Sequence, residues 1–180
     1  MTDRPSDDQL LAALAAIQAR GAIGEHSLAG AVTHAEQFVA ALADVTGRVI
    51  DLGSGGGLPG LVIAARRPDL ELVLVERRLA RADLLRRAVA ALGVGAAVSV
   101  FGGDVRDLNM AGTASAVTAR SFAAPEITAH WAGILLMAGG VLVVSEPPTD
   151  DASRWPSSVL KAARLADHGR EQGVRRFIRQ

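Results

Sequence analysis

Apolar residues along this chain recur at two different spacings. Leu10, Leu14 and Ile17 follow Ser6 and Gln9 at helical intervals, and Ser6-x-x-Gln9 has the form of a capping box; the pattern stops at Gly21. Residues 21–32 contain glycine and are less regular. Thr33 and Glu36 repeat the capping pattern, and Phe38, Val39 and Leu42 fit one face of a second helix. Beyond Gly47 the apolar residues close up into short runs that read as strands: Arg48–Leu52, Glu71–Val75, Ala97–Phe101, Ala116–Thr118 and Val141–Ser145. Helical spacing returns between them. One helix starts at Pro59, as its first residue, and ends near Pro68; one spans Leu79–Leu92, with Gly93 as its cap; one runs from Pro125 to about Met137. Gly139 and Gly140 read as the turn into the fifth strand, which Pro147 and Pro148 end. The tail holds a helix or strand near Val159–Ala166 and a last strand near Val174–Ile178.

Strands alternating with helices predict an α/β fold with a parallel sheet covered on both faces. No repeat or linker divides the 180 residues, so one domain is expected. Within it, 1–45 form N-terminal helices, 46–145 a ligand-binding core and 146–180 C-terminal strands.

Composition narrows the function. The absence of cysteine excludes disulfides, thiolate metal sites and a cysteine nucleophile. His26, His34, His130 and His168 are not spaced as metal ligands, so no metal is expected. Every apolar run is broken too early to span a membrane. Asp3, Asp7 and Asp8 occupy the start of the chain, where a secretory signal would be basic, so a soluble cytoplasmic protein is expected, with a monomer favoured. Nineteen basic and nineteen acidic residues cancel, which argues against coating nucleic acid by bulk attraction but leaves room for a local basic patch. Lys161 is the only lysine, which we read as composition bias.

The chemistry is concentrated in Asp51-Leu-Gly-Ser-Gly-Gly-Gly-Leu-Pro-Gly60, a glycine-rich turn between a strand and a helix. Three ligands compete for it. A phosphate-gripping P-loop would end in Gly-Lys-Ser/Thr, and no lysine is present. A dinucleotide site fits Gly55-x-Gly57-x-x-Gly60, with Glu76 about where a ribose-binding acid belongs. An S-adenosylmethionine site has an acid in the first strand followed by Gly-x-Gly-x-Gly, supplied by Asp51, Gly53, Gly55 and Gly57. An aspartate there suits a cationic ligand and opposes a pyrophosphate. Glu76, ending the second strand, can accept both ribose hydroxyls. Asp104, after the third, can accept an adenine amino group. Arg77 and Val105, the neighbours of these two acids, are counted with the cofactor site, as are Ser54 and Leu58 through their backbone.

With its Pro-Gly ending, this loop resembles that of the bacterial 16S rRNA guanine-N7 methyltransferases, the RsmG/GidB family. Val117-Thr-Ala-Arg-Ser-Phe-Ala123 resembles the same family's strand-four motif, and Leu136-Met-Ala-Gly-Gly-Val-Leu142 the turn into strand five. His34–Leu42 is similar to its helix before strand one. The resemblance covers about residues 30–145. It implies a class I methyltransferase, Rossmann-like fold: seven strands, mostly parallel, helices on both faces, and an antiparallel C-terminal hairpin. It also implies S-adenosylmethionine as cofactor and small-subunit rRNA as substrate. The sequence departs from the family at two places: Ala80-Arg81 stand where a Lys-Arg pair is common, and Ser145-Glu146-Pro147 where a lysine is common. A small-molecule methyltransferase and a non-catalytic cofactor-binding protein are the alternatives.

Guanine N7 carries no proton, so methylation there needs alignment rather than a base, and no catalytic triad or carboxylate pair is seen. Arg120, at the carboxyl end of strand four, is the candidate catalytic and substrate-binding residue, able to donate to guanine O6 or a phosphate. Arg81 and Trp155 are further substrate candidates; Trp131, at helical spacing, reads as core. His34 lies within reach of the site or on a helix surface. Two basic clusters stand out: Arg77, Arg78, Arg81, Arg86 and Arg87, and the six basic residues after 160, opposed only by Asp167 and Glu171. Each fits RNA phosphates or a solvated face.

Overall fold

The capping box at Ser6 forms in full: Ser6 Oγ accepts from the Gln9 N–H and Gln9 Oε1 from the Ser6 N–H. The helix it opens, α1 (Asp7–Gln18), buries Leu10, Leu14 and Ile17. The computed structural model describes residues 4–24, 27–149 and 152–180, so His26 and Asp3 lie outside the described residues. The other helices are α2 (Leu28–Ala41), α3 (Gly60–Arg66), α4 (Leu79–Ala91), α5 (Pro125–Leu135) and α6 (Ser157–Ala162). The strands are β1 (Arg48–Leu52), β2 (Glu71–Glu76), β3 (Val98–Gly102), β4 (Ala114–Ala119), β5 (Leu136–Ser145), β6 (Leu165–Glu171) and β7 (Val174–Arg179).

These strands form one seven-stranded sheet in the order β3-β2-β1-β4-β5-β7-β6. The first five are parallel, and β7 runs antiparallel between β5 and β6. Side chains alternate across the sheet. Val49, Leu72, Leu74 and Ala116 face α1–α4, whereas Ile50, Val73, Val75 and Val117 face α5 and α6. The strand order reverses between β1 and β4, which opens a crevice outside their carboxyl ends.

Beyond shifts of one or two residues at several ends, four departures from the sequence reading have a local reason. The second helix starts six residues earlier, because Ser27 caps it by accepting from the Gly30 N–H; Thr33 instead donates back to the Ala29 carbonyl inside the helix. Pro59 is the N-cap of α3, and the helix proper starts at Gly60. In the fifth helix the chain straightens at Leu136, so Gly139 and Gly140 lie within a ten-residue strand rather than in a turn before it; an irregular register between Ala114 and Ala116 accommodates them. The segment near 159–166 is helix then strand, α6 followed by β6, divided at Arg164 in the left-handed region.

Candidate functional site

The glycine turn is held by its own chain. The Ser54 N–H donates to the Val75 carbonyl at 2.9 Å and the Gly57 N–H to the Ser54 carbonyl at 2.7 Å. The Gly55 N–H donates to Glu76 Oε2 at 2.9 Å, and the other carboxylate oxygen, Oε1, accepts the Arg78 N–H at 2.8 Å. Glu76 is 5% exposed. Each of its oxygens keeps a lone pair for a ligand. Gly55 sits at φ +54°, and a Cβ there would meet nothing nearer than the Gly53 carbonyl at 3.6 Å. That space opens onto a cavity of about 440 Å³ outside the carboxyl ends of the strands.

Three walls enclose the cavity. Gly53, Gly55 and Glu76 form the floor; Asp104, Val105 and Arg106 close one side, with Arg77, Arg78 and Arg81 at the rim. Ser121, Phe122, Ile127 and Trp131 make an apolar wall opposite. Ser121 has φ +56°, a left-handed conformation unusual for serine. It turns the chain after β4 so that Phe122 lies against Gly53, where a Cβ would stand 2.9 Å from the ring.

Asp104 caps a 3₁₀ turn, Val105–Asp107, and is gripped by Arg106: Oδ1 accepts from the Arg106 N–H at 3.0 Å and from Nε at 2.9 Å, and Oδ2 from Nη2 at 3.1 Å. This side-chain contact holds its pKa down at about 2, so the carboxylate is charged at any working pH. The sequence reading did not include Arg106; its spacing of two from Asp104 after a strand was the available signal.

Asp51 does not line the cavity. Strand alternation turns it toward α3, where it is 1% exposed. Its Oδ1 accepts from Thr118 Oγ1 at 2.7 Å, across the β1–β4 register that pairs these two residues. Its Oδ2 faces Gly60, the first residue of α3. Burial raises its pKa from 3.8 to about 6, opposed by the Thr118 and Ser54 hydroxyls and by the charge of Arg120. Ser54 and Leu58 are likewise buried beneath the loop, and Gly57 supports it without reaching the cavity wall.

Arg120 follows β4 and points to the same side as Asp51. It is half-buried, and its Nη1 has no hydrogen-bond partner. Burial lowers its pKa and the Asp51 charge raises it. His34 of α2 completes this cluster. Burial first, then Arg120, lowers its pKa, and its buried Nδ1 is also unpartnered. Two donor-capable groups therefore converge at the end of β4 with unmet hydrogen-bonding capacity.

Trp131 packs against the hydrophobic core, as its helical spacing implies, and also forms part of the cavity wall. Trp155, expected at the substrate, is 5% exposed, donates from Nε1 to Glu146 Oε1 at 2.7 Å and packs on Phe177 at 4.8 Å, so it offers no free face to a base. Among the described residues, no group of three histidine or acidic side chains is placed to hold a metal ion, and no helix is long and apolar enough to cross a membrane.

The geometry discriminates between the ligand classes left open by the sequence. In a dinucleotide or P-loop site the loop N–H groups are free to grip phosphates. Here those of Ser54, Gly55 and Gly57 are taken by the protein's own oxygens, and the start of α3 faces the Asp51 carboxylate.

Known proteins similar to this chain point to one family. The family model described as rRNA small subunit methyltransferase G matches residues 12–149. Two curated proteins named ribosomal RNA small subunit methyltransferase G are similar to the chain. The one from Acidothermus cellulolyticus is 46% identical over 137 residues, covering 76% of this chain and 58% of that protein. The one from Kineococcus radiotolerans is 42% identical over 106 residues, covering 59% and 42%. The chain thus spans about half the length of the curated relatives it matches. Among solved structures, geranyl diphosphate methyltransferase in complex with SAM superposes with a TM-score of 0.62 at 18% identity, over 77% of this chain and 66% of that one; this likeness is one of fold. The fold is that of the class I methyltransferases, and the chain belongs to the rRNA small subunit methyltransferase G family.

Proposed function

We propose that the chain acts as an S-adenosylmethionine-dependent methyltransferase on small-subunit rRNA, with guanine N7 as the acceptor atom. The observation that carries the cofactor class is the internal use of the loop N–H groups around Glu76. Three of the loop N–H groups are thus taken internally, while a buried carboxylate lines a cavity of about 440 Å³. Family membership supports the rRNA substrate. Work on ribosomal RNA would place the protein in the cytoplasm.

Glu76 would accept the two ribose hydroxyls through its spare lone pairs, and Asp104 the adenine amino group. Phe122, Ile127 and Trp131 would cover the adenine face and exclude water. When bound, S-adenosylmethionine supplies a methyl group on a sulfonium, open to in-line displacement. The acceptor N7 has a lone pair and no proton, so the protein's task is alignment. Arg120, half-buried at the carboxyl end of β4 and outside the lining of this cavity, would donate to guanine O6 or to a phosphate on the substrate side.

The test is transfer of tritiated methyl groups to 16S rRNA from a strain lacking its own guanine-N7 methyltransferase, assayed as naked RNA and as assembled particles. Label recovered in 7-methylguanosine is expected in at least one form. Label in neither, from a protein that binds the cofactor, would reject the rRNA assignment.

A further inference from the structure

Most arginines near acids in this protein are spoken for. Arg48, Arg66, Arg67, Arg86, Arg106, Arg154, Arg175 and Arg176 each pair with a carboxylate. Within the basic tail, Arg179 donates to the Gly133 carbonyl and Arg170 to those of Pro147 and Gln172, so that cluster is used largely to hold the C-terminal strands in place.

Arg77, Arg78 and Arg81 differ. They stand together where β2 passes into α4, and none makes a side-chain hydrogen bond or ion pair among the described residues. Arg77 and Arg78 are exposed and Arg81 is half-buried. Arg78 is the N-cap of α4 and Arg81 lies in its first turn. All three rim the cavity.

The cofactor does not account for them. S-adenosylmethionine has a cationic sulfonium and only one carboxylate, so three guanidinium groups, of which Arg77 alone feels a nearby carboxylate, that of Asp104, exceed what it can use. A second, polyanionic ligand at the same mouth does account for them. Leu79, between the arginines, is 64% exposed and offers apolar contact to base faces. In A-form helices N7 faces a deep, narrow groove that side chains do not enter, which excludes a paired guanine as the target.

Resting on the rRNA reading above, we propose that the β2–α4 junction, through Arg77, Arg78 and Arg81, is the docking surface for the sugar–phosphate backbone of an unpaired RNA segment. The contact is electrostatic, so it releases counterions and weakens with salt.

The probe is a fluorescein-labelled, unstructured oligouridylate, followed by anisotropy from roughly 50 to 200 mM KCl, the range in which such contacts lose most of their affinity. Three variants are compared with the parent: Arg77→Gln/Arg78→Gln/Arg81→Gln, the same three positions changed to Lys, and Arg87→Gln, an exposed residue further along α4. Removing three phosphate contacts should reduce the slope of log K against log salt by about 2, since each contact to single-stranded RNA contributes about 0.7. The lysine variant should keep most of the slope, and Arg87→Gln all of it. An unchanged slope in the glutamine variant, or an equal loss in Arg87→Gln, overturns the assignment of this surface. If the parent methylates rRNA while the glutamine variant keeps its slope, the surface alone is wrong. If the parent neither binds the probe nor methylates rRNA, the rRNA reading falls with it.

Discussion

The Gly55 N–H and Glu76 Oε2 lie 2.9 Å apart, so the acid at the end of β2 fixes the glycine turn that follows β1. One carboxylate thus shapes the floor of the cavity and offers its remaining lone pairs to a ligand. Glu76→Gln keeps the volume but halves the acceptor capacity. Loss of a charge-assisted hydrogen bond costs about 1.5–3 kcal/mol, so S-adenosylhomocysteine affinity should fall roughly 10- to 100-fold. Isothermal titration calorimetry on both proteins checks this; equal affinities would remove Glu76 from the ligand.

Gly55→Val places a side chain in the ligand's space rather than in the protein's, because a Cβ there meets no neighbour closer than 3.6 Å. The left-handed backbone adds strain of about 1–2 kcal/mol. The expected result is loss of measurable S-adenosylhomocysteine binding with a protein that remains folded by circular dichroism. Retained affinity would mean the cavity above Gly55 is not the cofactor site.

Asp51 makes stability depend on pH with an unusual sign. Its folded pKa, about 6, lies above the 3.8 of the unfolded chain. Between those values the folded state holds a proton that the unfolded state has lost, so this group's contribution declines as pH rises through that window. The shift corresponds to about 3 kcal/mol. Asp51→Asn removes the ionisation, and its stability relative to the parent should be greater at pH 7.5 than at pH 4. Urea denaturation at both values measures it. A difference independent of pH would contradict the raised pKa.

The two tryptophans separate site from core. With Trp155→Phe only Trp131 remains, and its emission should change on titration with S-adenosylhomocysteine; with Trp131→Phe the change should vanish. Trp155→Phe should also cost about 1–3 kcal/mol of stability, because it leaves the buried Glu146 carboxylate without its 2.7 Å donor. A ligand response in Trp131→Phe equal to the parent's would place Trp131 outside the site.

Arg120→Ala tests the substrate end. If its guanidinium serves the guanine, turnover should fall about 10- to 100-fold while S-adenosylhomocysteine affinity holds. Full activity on rRNA would show that Arg120 does not touch the substrate.

How far the sequence was readable follows from what each signal depends on. β1, β2 and the Val141–Ser145 half of β5 are mainly apolar because both faces are buried, whereas the edge strand β3 is only partly buried and β4 carries Ser and Thr; all five were at least partly legible. The edge strand β6 was not, since Leu-Ala-Asp-His-Gly-Arg-Glu is polar and identified only by pairing with β7. Gly139 and Gly140 read as a turn because glycine usually punctuates, yet their backbone lies in β5 beside β4. The acids at the ends of β2 and β3 reach the cavity, as their strand positions imply. Asp51 does not, because alternation along β1 sends it under the loop toward α3. Trp155 looked like a loop residue beside Pro156, but the segment folds back on Glu146 and Phe177, contacts remote enough in sequence to leave no local trace.

The cofactor class bears most weight, and calorimetric titration with S-adenosylhomocysteine against NAD tests it most directly. The expected result is saturable one-to-one binding of S-adenosylhomocysteine and no heat from NAD. Binding of NAD alone would contradict the assignment, since the N–H groups of Ser54, Gly55 and Gly57 are already held by Val75, Glu76 and Ser54.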